Sequence, residues 1–251
     1  MPNCTAVVLA AGKGTRMFSE RDALPKVMRP VLGRPMISYV MEALSFVNDI
    51  IVVVGYRQEM VRAALGDTVR YAEQREQRGT GHAVLCAAPL LEGVGGPVLI
   101  CYGDMPLVRR ETYERLFALH LAEQNACTLL SGTSDRGLRY GRVLRDETGV
   151  FVRVVEDADC TPEQLAIREL NAGVYVMDAV ALRPALRELR PDNAQGELYL
   201  TDVPELLKQR GLRVGVCRSA YPDEILGVNT VEQLEMVEEQ MQCTNSGSIS
   251  Y

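Results

Sequence analysis

The sequence predicts an α/β fold: a Rossmann-like, mostly parallel central sheet flanked by helices, with a small antiparallel insertion. Three observations predict it. Apolar runs rich in Val and Ile, without period-2 alternation and ending in Gly or Asp or just short of them, recur at TAVVLAAG (5–12), DIIVVVGY (49–56) and PVLICYGD (97–104). Strands covered on both faces read this way. Helix-length stretches at 35–46, 58–65 and 80–91 separate these runs, and such alternation gives parallel strands joined by right-handed crossovers. After ACTLLSGT (126–133) the pattern changes, and YGRVLRDETGVFVRVVED (140–157) reads as two strands around a turn at Asp146–Gly149, which is the antiparallel insertion.

The remaining elements follow in order. In the helix at 110–123, Tyr113, Leu116, Phe117 and His120 fall at i, i+3, i+4 and i+7, the face that meets the sheet. His120 is therefore read as a packed side chain, not a ligand. TPEQLAIR (161–168) opens with the N-cap residue Thr161 and Pro at the first helical position, both helix starters. ELNAGVYVMD (169–178) is a strand, and helices are expected near 179–189, 197–210 and 230–242 with a strand at 212–219. No repeat or linker divides the chain, so one domain is expected over 1–243 with the insertion at about 134–172. The polar TNSGSISY (244–251) reads as a flexible tail.

Composition narrows the classes. A chain of 251 residues, 47% hydrophobic and 24% charged, can bury a full core. The net charge of -6 argues against nucleic acid or anionic lipid as partners. No apolar run approaches the ~20 residues of a bilayer span, and the opening lacks a signal peptide's basic start and cleavage site. A cytoplasmic protein with no membrane partner is expected. The seven Cys are odd in number and scattered, which argues against a disulfide framework. They read as buried small hydrophobes, with Cys4 and Cys243, near the ends, exposed.

The strongest local signal is LAAGKGTRM (9–17), directly after the first buried run. Gly12 and Gly14 let the backbone approach a ligand with N–H groups offered to phosphate oxygens, and Lys13 and Arg16 add two cations. The spacing is not that of a P-loop, and Met17 stands where a dinucleotide fingerprint needs its third Gly. In LPKVMRPVLGRPMI (24–37), Pro25 and Pro30 stiffen a non-helical segment around Lys26, which alone reads as a surface lysine. In CYGDMPL (101–107), Asp104 ends a buried strand. Its local pattern fits a turn former or a ligand for magnesium, which needs only one or two protein oxygens beside phosphates and water.

Taken in order from about residue 5 to 230, LAAGKGTRM, LPKVM, EQREQRGTGHAV, YGDMPL, YGRV, LNAGVYV, GELYLTD and GVNT resemble the motifs of the uridylyltransferase domain of bacterial N-acetylglucosamine-1-phosphate uridylyltransferases, a sugar-phosphate nucleotidyltransferase family with a GT-A-like fold. The resemblance implies that Leu9, Ala10, Ala11 and Gly12 line the nucleotide, with Gln74 and Gly79 on the uracil edge and Thr80 nearby. Lys13 and Arg16 would hold the triphosphate and leaving pyrophosphate, and Lys26 the reacting phosphates. It also implies Asp104 and Asn229 as ligands of Mg2+, and a sugar pocket of Tyr102, Gly103, Gly141, Glu156, Asn171, Tyr199 and Thr201. His82, in the GTGHA segment, is read as structural or a minor contact.

The implied substrates are UTP and N-acetylglucosamine 1-phosphate. A related uridylyl- or thymidylyltransferase with another hexose phosphate is the nearest alternative. A non-catalytic sugar-nucleotide sensor is the alternative from another class, although a sensor need not keep pyrophosphate-binding cations. The sequence departs from the family in the extra loop FSERDA (18–23) and in Ala172, where Thr is common. The family's acetyl-transferring hexapeptide β-helix has no counterpart here, so no acetyltransferase activity and a monomer or weak dimer are expected.

Overall fold

The structure, a computed structural model, describes residues 4–14 and 24–247, the last four as backbone. Strand β1 (Thr5–Leu9) is buried along its whole length. A short hairpin, β2 (Pro30–Val31) and β3 (Arg34–Pro35), leads into α1 (Met36–Ala43), β4 (Asp49–Val54), α2 (Gln58–Leu65) and β5 (Arg70–Glu73). Then come α3 (Thr80–Ala87), β6 (Pro97–Tyr102), α4 (Arg110–Ala122) and β7 (Cys127–Thr133). The second half contains β8 (Arg142–Arg145), β9 (Phe151–Val155), α5 (Pro162–Leu165), β10 (Glu169–Asp178), α6 (Ala179–Leu186), α7 (Val203–Gln209), β11 (Val214–Arg218) and α8 (Val231–Gly247).

The main sheet runs β11-β7-β10-β6-β1-β4-β5. Strand β1 pairs in parallel with β4 (Ala6 opposite Ile50) and with β6 (Ala6 opposite Leu99), and β5 continues in parallel beyond β4. Strand β10 runs antiparallel to both β6 and β7. The β8–β9 hairpin joins β10 at one pair, Leu170 opposite Arg142. From β1 the chain moves out to β4 and β5, then returns to the other side of β1 as β6. That reversal opens a crevice at the carboxyl ends of β1 and β6, where ligands bind in such sheets.

Both faces are covered, as the uninterrupted apolar strands require. Val8, Val52 and Leu99 meet Ile37, Val61, Leu116 and Phe117 on one side. Val7, Ile51 and Val53 meet Val84, Leu182 and Leu207 on the other. His120 is 4% exposed with Nδ1 3.1 Å from Thr128 Oγ1, a packed histidine as expected. Among the described residues no helix is long and apolar enough to cross a membrane, and all seven cysteines are free thiols.

Several expectations change. Strand β5 was not anticipated: RYAE buries only Ala72, as an edge strand can. The segment 197–210 is not one helix. Leu198 N–H donates to Arg78 O (2.8 Å) and Gly81 N–H donates to Leu198 O (2.8 Å), so this stretch lies extended against the start of α3 before the helix begins. Helix α3 stops at Ala87 and continues as one 3-10 turn through Pro89. Lys26–Met28 also form a 3-10 turn where a non-helical segment was expected. Helix α5 keeps its Thr161 capping box but spans only Pro162–Leu165, and α8 runs five residues past the expected end. Cys4 is 3% exposed, because it leads directly into the buried start of β1.

Candidate active site

A cleft of about 590 Å³ lies across the carboxyl ends of β1 and β6 and reaches the β8–β9 side. Its floor is the chain leaving β1. Ala10 N–H donates to Val53 O (2.9 Å), and Ala11 O accepts from Tyr56 N–H (3.3 Å) and from Gln77 Nε2 (2.7 Å). The backbone is thus held at sheet level through Ala11. Gly12 and Lys13 are exposed beyond it. Gly14 has φ +68, and a Cβ there would lie 2.9 Å from Lys26 Cβ, so the loop packs against the lysine segment only as glycine. Leu9 to Gly12 line the cleft; Lys13 stands off it, 5.9 Å from the Tyr56 ring. Arg16 lies outside the described residues.

At the cleft centre Lys26 Nζ pairs with the Asp104 carboxylate and donates to Asn229 Oδ1 at 2.7 Å. Both charged side chains are 14% exposed, so each largely relies on the other for solvation. Three distant segments are fixed to bring them together. Val228 N–H donates to Asp104 O (3.0 Å), which ties the chain before Asn229 to the end of β6. Gly227 N–H donates to Tyr140 Oη (2.7 Å), and burial pushes the Tyr140 hydroxyl up to about 12. Glu224, 2% exposed, accepts from Thr112 Oγ1 (2.8 Å), Ser219 Oγ (2.8 Å) and Arg109 N–H (3.1 Å). It anchors the same segment to the start of α4.

One end of the cleft is built by the chain leaving β5. Gln74 is 5% exposed, and its Nε2 donates to Gly79 O at 3.1 Å and faces His82 Nδ1 at 3.2 Å. Leu200 N–H donates to Thr80 Oγ1 (3.1 Å). Gly79 has φ +105, and a Cβ there would fall 2.6 Å from Leu198 O and 2.9 Å from Leu198 N. Neither partner is a movable side-chain end. Gly79→Ala is therefore expected to lower stability by about 3 kcal/mol through backbone strain and displacement of the 197–200 segment. Urea denaturation measures this, and an unchanged midpoint would refute the packing argument.

On the opposite side, Glu156 accepts from Thr201 Oγ1 at 2.9 Å. Burial raises the Glu156 carboxyl's pKa, a rise that the Thr201 hydroxyl partly offsets. Burial, with Glu156 and Asp104 near, also holds the Tyr102 hydroxyl above its usual range. Asn171 Nδ2 donates to Tyr175 Oη (2.7 Å), and its Oδ1 accepts from Gly173 N–H (3.2 Å). Tyr199 Oη donates to Gln195 Oε1 (2.8 Å).

Tyr102, Gly141, Glu156, Asn171 and Tyr199 reach the cleft. Thr201 stands behind Glu156, and Gly103 is buried with its N–H on Leu9 O (3.0 Å), so neither lines the wall. The wall also includes Gln77, Arg136, Arg139 and Gln195, which the sequence reading passed over. Gln77 sits between Gln74 and Gly79 in one motif, a signal that was available. The others carried no local pattern.

A Gly-rich strand-end loop, a switch-point cleft and a lysine held beside a carboxylate and an amide oxygen define a protein that handles nucleoside phosphates. Residues 6–207 match the MobA-like NTP transferase domain family, and the chain belongs to that family. It is 44% identical over 243 residues to the bifunctional protein GlmU of Caldanaerobacter subterraneus subsp. tengcongensis, covering 96% of this chain and 52% of that protein. The GlmU protein of Clostridium novyi is 45% identical over 238 residues, with 94% and 51% covered. The chain thus spans about half the length of the curated relatives it matches. A crystal structure from Bacillus anthracis, assigned as a glucose-1-phosphate thymidylyltransferase and solved with sucrose, superposes with a TM-score of 0.73 over 94% of each chain. At 19% identity it shows the shared fold alone.

Proposed function

We propose that the chain converts UTP and N-acetylglucosamine 1-phosphate to UDP-N-acetylglucosamine and pyrophosphate in the cytoplasm, where UTP is supplied. The observation that carries this reading is the meeting of Lys26, Asp104 and Asn229 in the same cleft as Gln74 and the strand-end loop. Similarity to GlmU relatives over nearly the whole chain supports the choice of nucleotide and sugar.

The nucleophile needs little help. A phosphate monoester has a second pKa near 6, so the sugar phosphate is already ionised at pH 7 and no general base is required. Its oxygen bonds to the α-phosphorus of UTP while the bond to the bridging oxygen breaks, and pyrophosphate leaves. Repulsion between two polyanions is the main obstacle, so positioning and charge neutralisation supply the rate. In this assignment Lys26 neutralises the reacting phosphates, and Lys13 and Arg16 hold the triphosphate and leaving group. Tyr102, Gly103, Gly141, Glu156, Asn171, Tyr199 and Thr201 form or support the sugar pocket.

Asp104 and Asn229 would hold Mg2+, which when bound draws charge from the phosphate oxygens. The donor set fits the ion. One carboxylate and one amide oxygen are hard ligands in the small number magnesium takes when phosphates and water complete its shell. Among the described residues no cluster of three or more His, Cys, Asp or Glu offers a denser cage.

Pyrophosphate release from a panel of UTP, dTTP, CTP and several hexose 1-phosphates tests the assignment. UTP with N-acetylglucosamine 1-phosphate should be the best pair, and faster turnover of another pair would replace it. Gln74→Ala should lower the preference for UTP over CTP by at least about tenfold, because a site built to hydrogen-bond one base edge leaves its own groups unpaired with another. An unchanged UTP to CTP ratio would remove Gln74 from base reading.

A further inference from the structure

We propose that His82 is a specificity-determining positioning residue: it fixes the orientation of the Gln74 side-chain amide so that the base meets a hydrogen-bond acceptor, which selects pyrimidines whose N3 carries a proton. This rests on the reading of the cleft as a uridine nucleotide site.

The chain of donors and acceptors has one solution. Gly79 O, 3.1 Å from the Gln74 amide, is a carbonyl oxygen and can only accept, so the amide atom opposite it is the nitrogen. That nitrogen has a second proton, and 3.2 Å from it stands His82 Nδ1. An amide nitrogen offers only protons, so in this contact Nδ1 accepts and the ring proton sits on Nε2. From Nε2 the proton points to Cys86 Sγ at 3.8 Å. Burial raises the Cys86 pKa, so its sulfur stays neutral and accepts weakly.

Both Gln74 amide protons are thereby used inside the protein. Its Oε1 accepts no hydrogen bond among the described residues, and Gln74 is one of the residues that line the cleft. Uracil and thymine present N3–H to such an oxygen, whereas cytosine presents a lone pair. Rotating the amide to suit cytosine would set Oε1 against two acceptors, Gly79 O and His82 Nδ1. Gly79 supplies one of these penalties through the backbone. His82 supplies the other as long as its proton stays on Nε2, where Cys86 Sγ lies 3.8 Å away, and it does so 3.2 Å from Gln74 without reading the base itself.

Because uracil and thymine share N3–H, the two ratios separate this role from general damage. His82→Ala should reduce the UTP to CTP preference roughly tenfold, the loss of one hydrogen bond, while leaving UTP to dTTP unchanged. His82→Asn, whose Oδ1 stands near the position of Nδ1, should restore the preference. If Gln74→Ala lowers the UTP to CTP ratio and His82→Ala does not, the inference is overturned while the base reading stands. If neither variant moves the ratio, the base reading fails and takes this inference with it. Nitrogen-15 NMR of the histidines in the wild-type protein tests the tautomer without any variant: His82 should show a protonated Nε2 and a bare Nδ1, and the reverse assignment would overturn the proposal.

Discussion

Asp104→Asn is expected to lower turnover about a thousandfold while leaving the protein folded. The substitution keeps the side chain's size, and the backbone oxygen of residue 104 still accepts from Val228 N–H at 3.0 Å. What it removes is the charge. A neutral amide is a far weaker anchor for a divalent cation, and Asn229 offers no charge to replace it. The variant also leaves the Lys26 ammonium, 14% exposed, without its anionic partner. That is expected to cost about 1 kcal/mol in stability, because Asn229 Oδ1 still accepts from Nζ and the cleft admits water. Thermal melting should therefore drop by only a few degrees. Turnover is best measured across a magnesium titration, where excess metal should recover part of the loss. Near wild-type turnover at limiting magnesium would show that Asp104 does not hold the ion.

The fold was legible where one strand or helix carried its own signal. The runs at β1, β4 and β6 are buried on both faces, and β10 was bounded correctly at both ends from its apolar pattern. Edge strand β5 escaped, because it is only four residues long, Arg70 and Glu73 are exposed, and only the half-buried Tyr71 and the buried Ala72 meet the core, one on each face. The segment 197–200 escaped for a different reason. Its hydrogen bonds go to Arg78 and Gly81, more than a hundred positions away, and a local helical pattern cannot register them. Gly79 and Gly81 were visible in the sequence as glycines, but not the backbone that crowds them.

The site divides in the same way. Lys26, Asp104 and Asn229 are each commonplace alone, and only the ordered resemblance gathered them before the geometry did. The devices that hold Asn229 in place were not legible at all. Glu224 looks like an ordinary surface acid in YPDEILG, yet it is 2% exposed and accepts from Thr112, Ser219 and Arg109. His82 was read as structural or a minor contact, and its position beside Gln74 gives that contact a direction.

Lys26→Ala should lower turnover by at least about a hundredfold while UMP affinity changes less than about twofold. The proposed role of this ammonium is on the reacting phosphates, where charge is most crowded in the transition state, and UMP lacks the phosphates that create that crowding. Gln74 and Gly79 are untouched by the change, so the base contacts persist. A second effect runs the opposite way. In the substrate-free protein the ammonium sits against Asp104 and Asn229 Oδ1, the oxygens assigned to the metal, and a divalent cation must displace it to bind there. Removing the ammonium should tighten Mn2+ binding to the substrate-free protein about tenfold, ~1.4 kcal/mol, the scale of one charge-assisted hydrogen bond. Electron paramagnetic resonance of free Mn2+ reads that affinity directly, without turnover. Slower catalysis with tighter metal binding is the signature of a cation that shares its anchors with the metal at rest and serves the phosphates during reaction. Weaker Mn2+ binding, or loss of UMP affinity in step with turnover, would move Lys26 off the reacting phosphates.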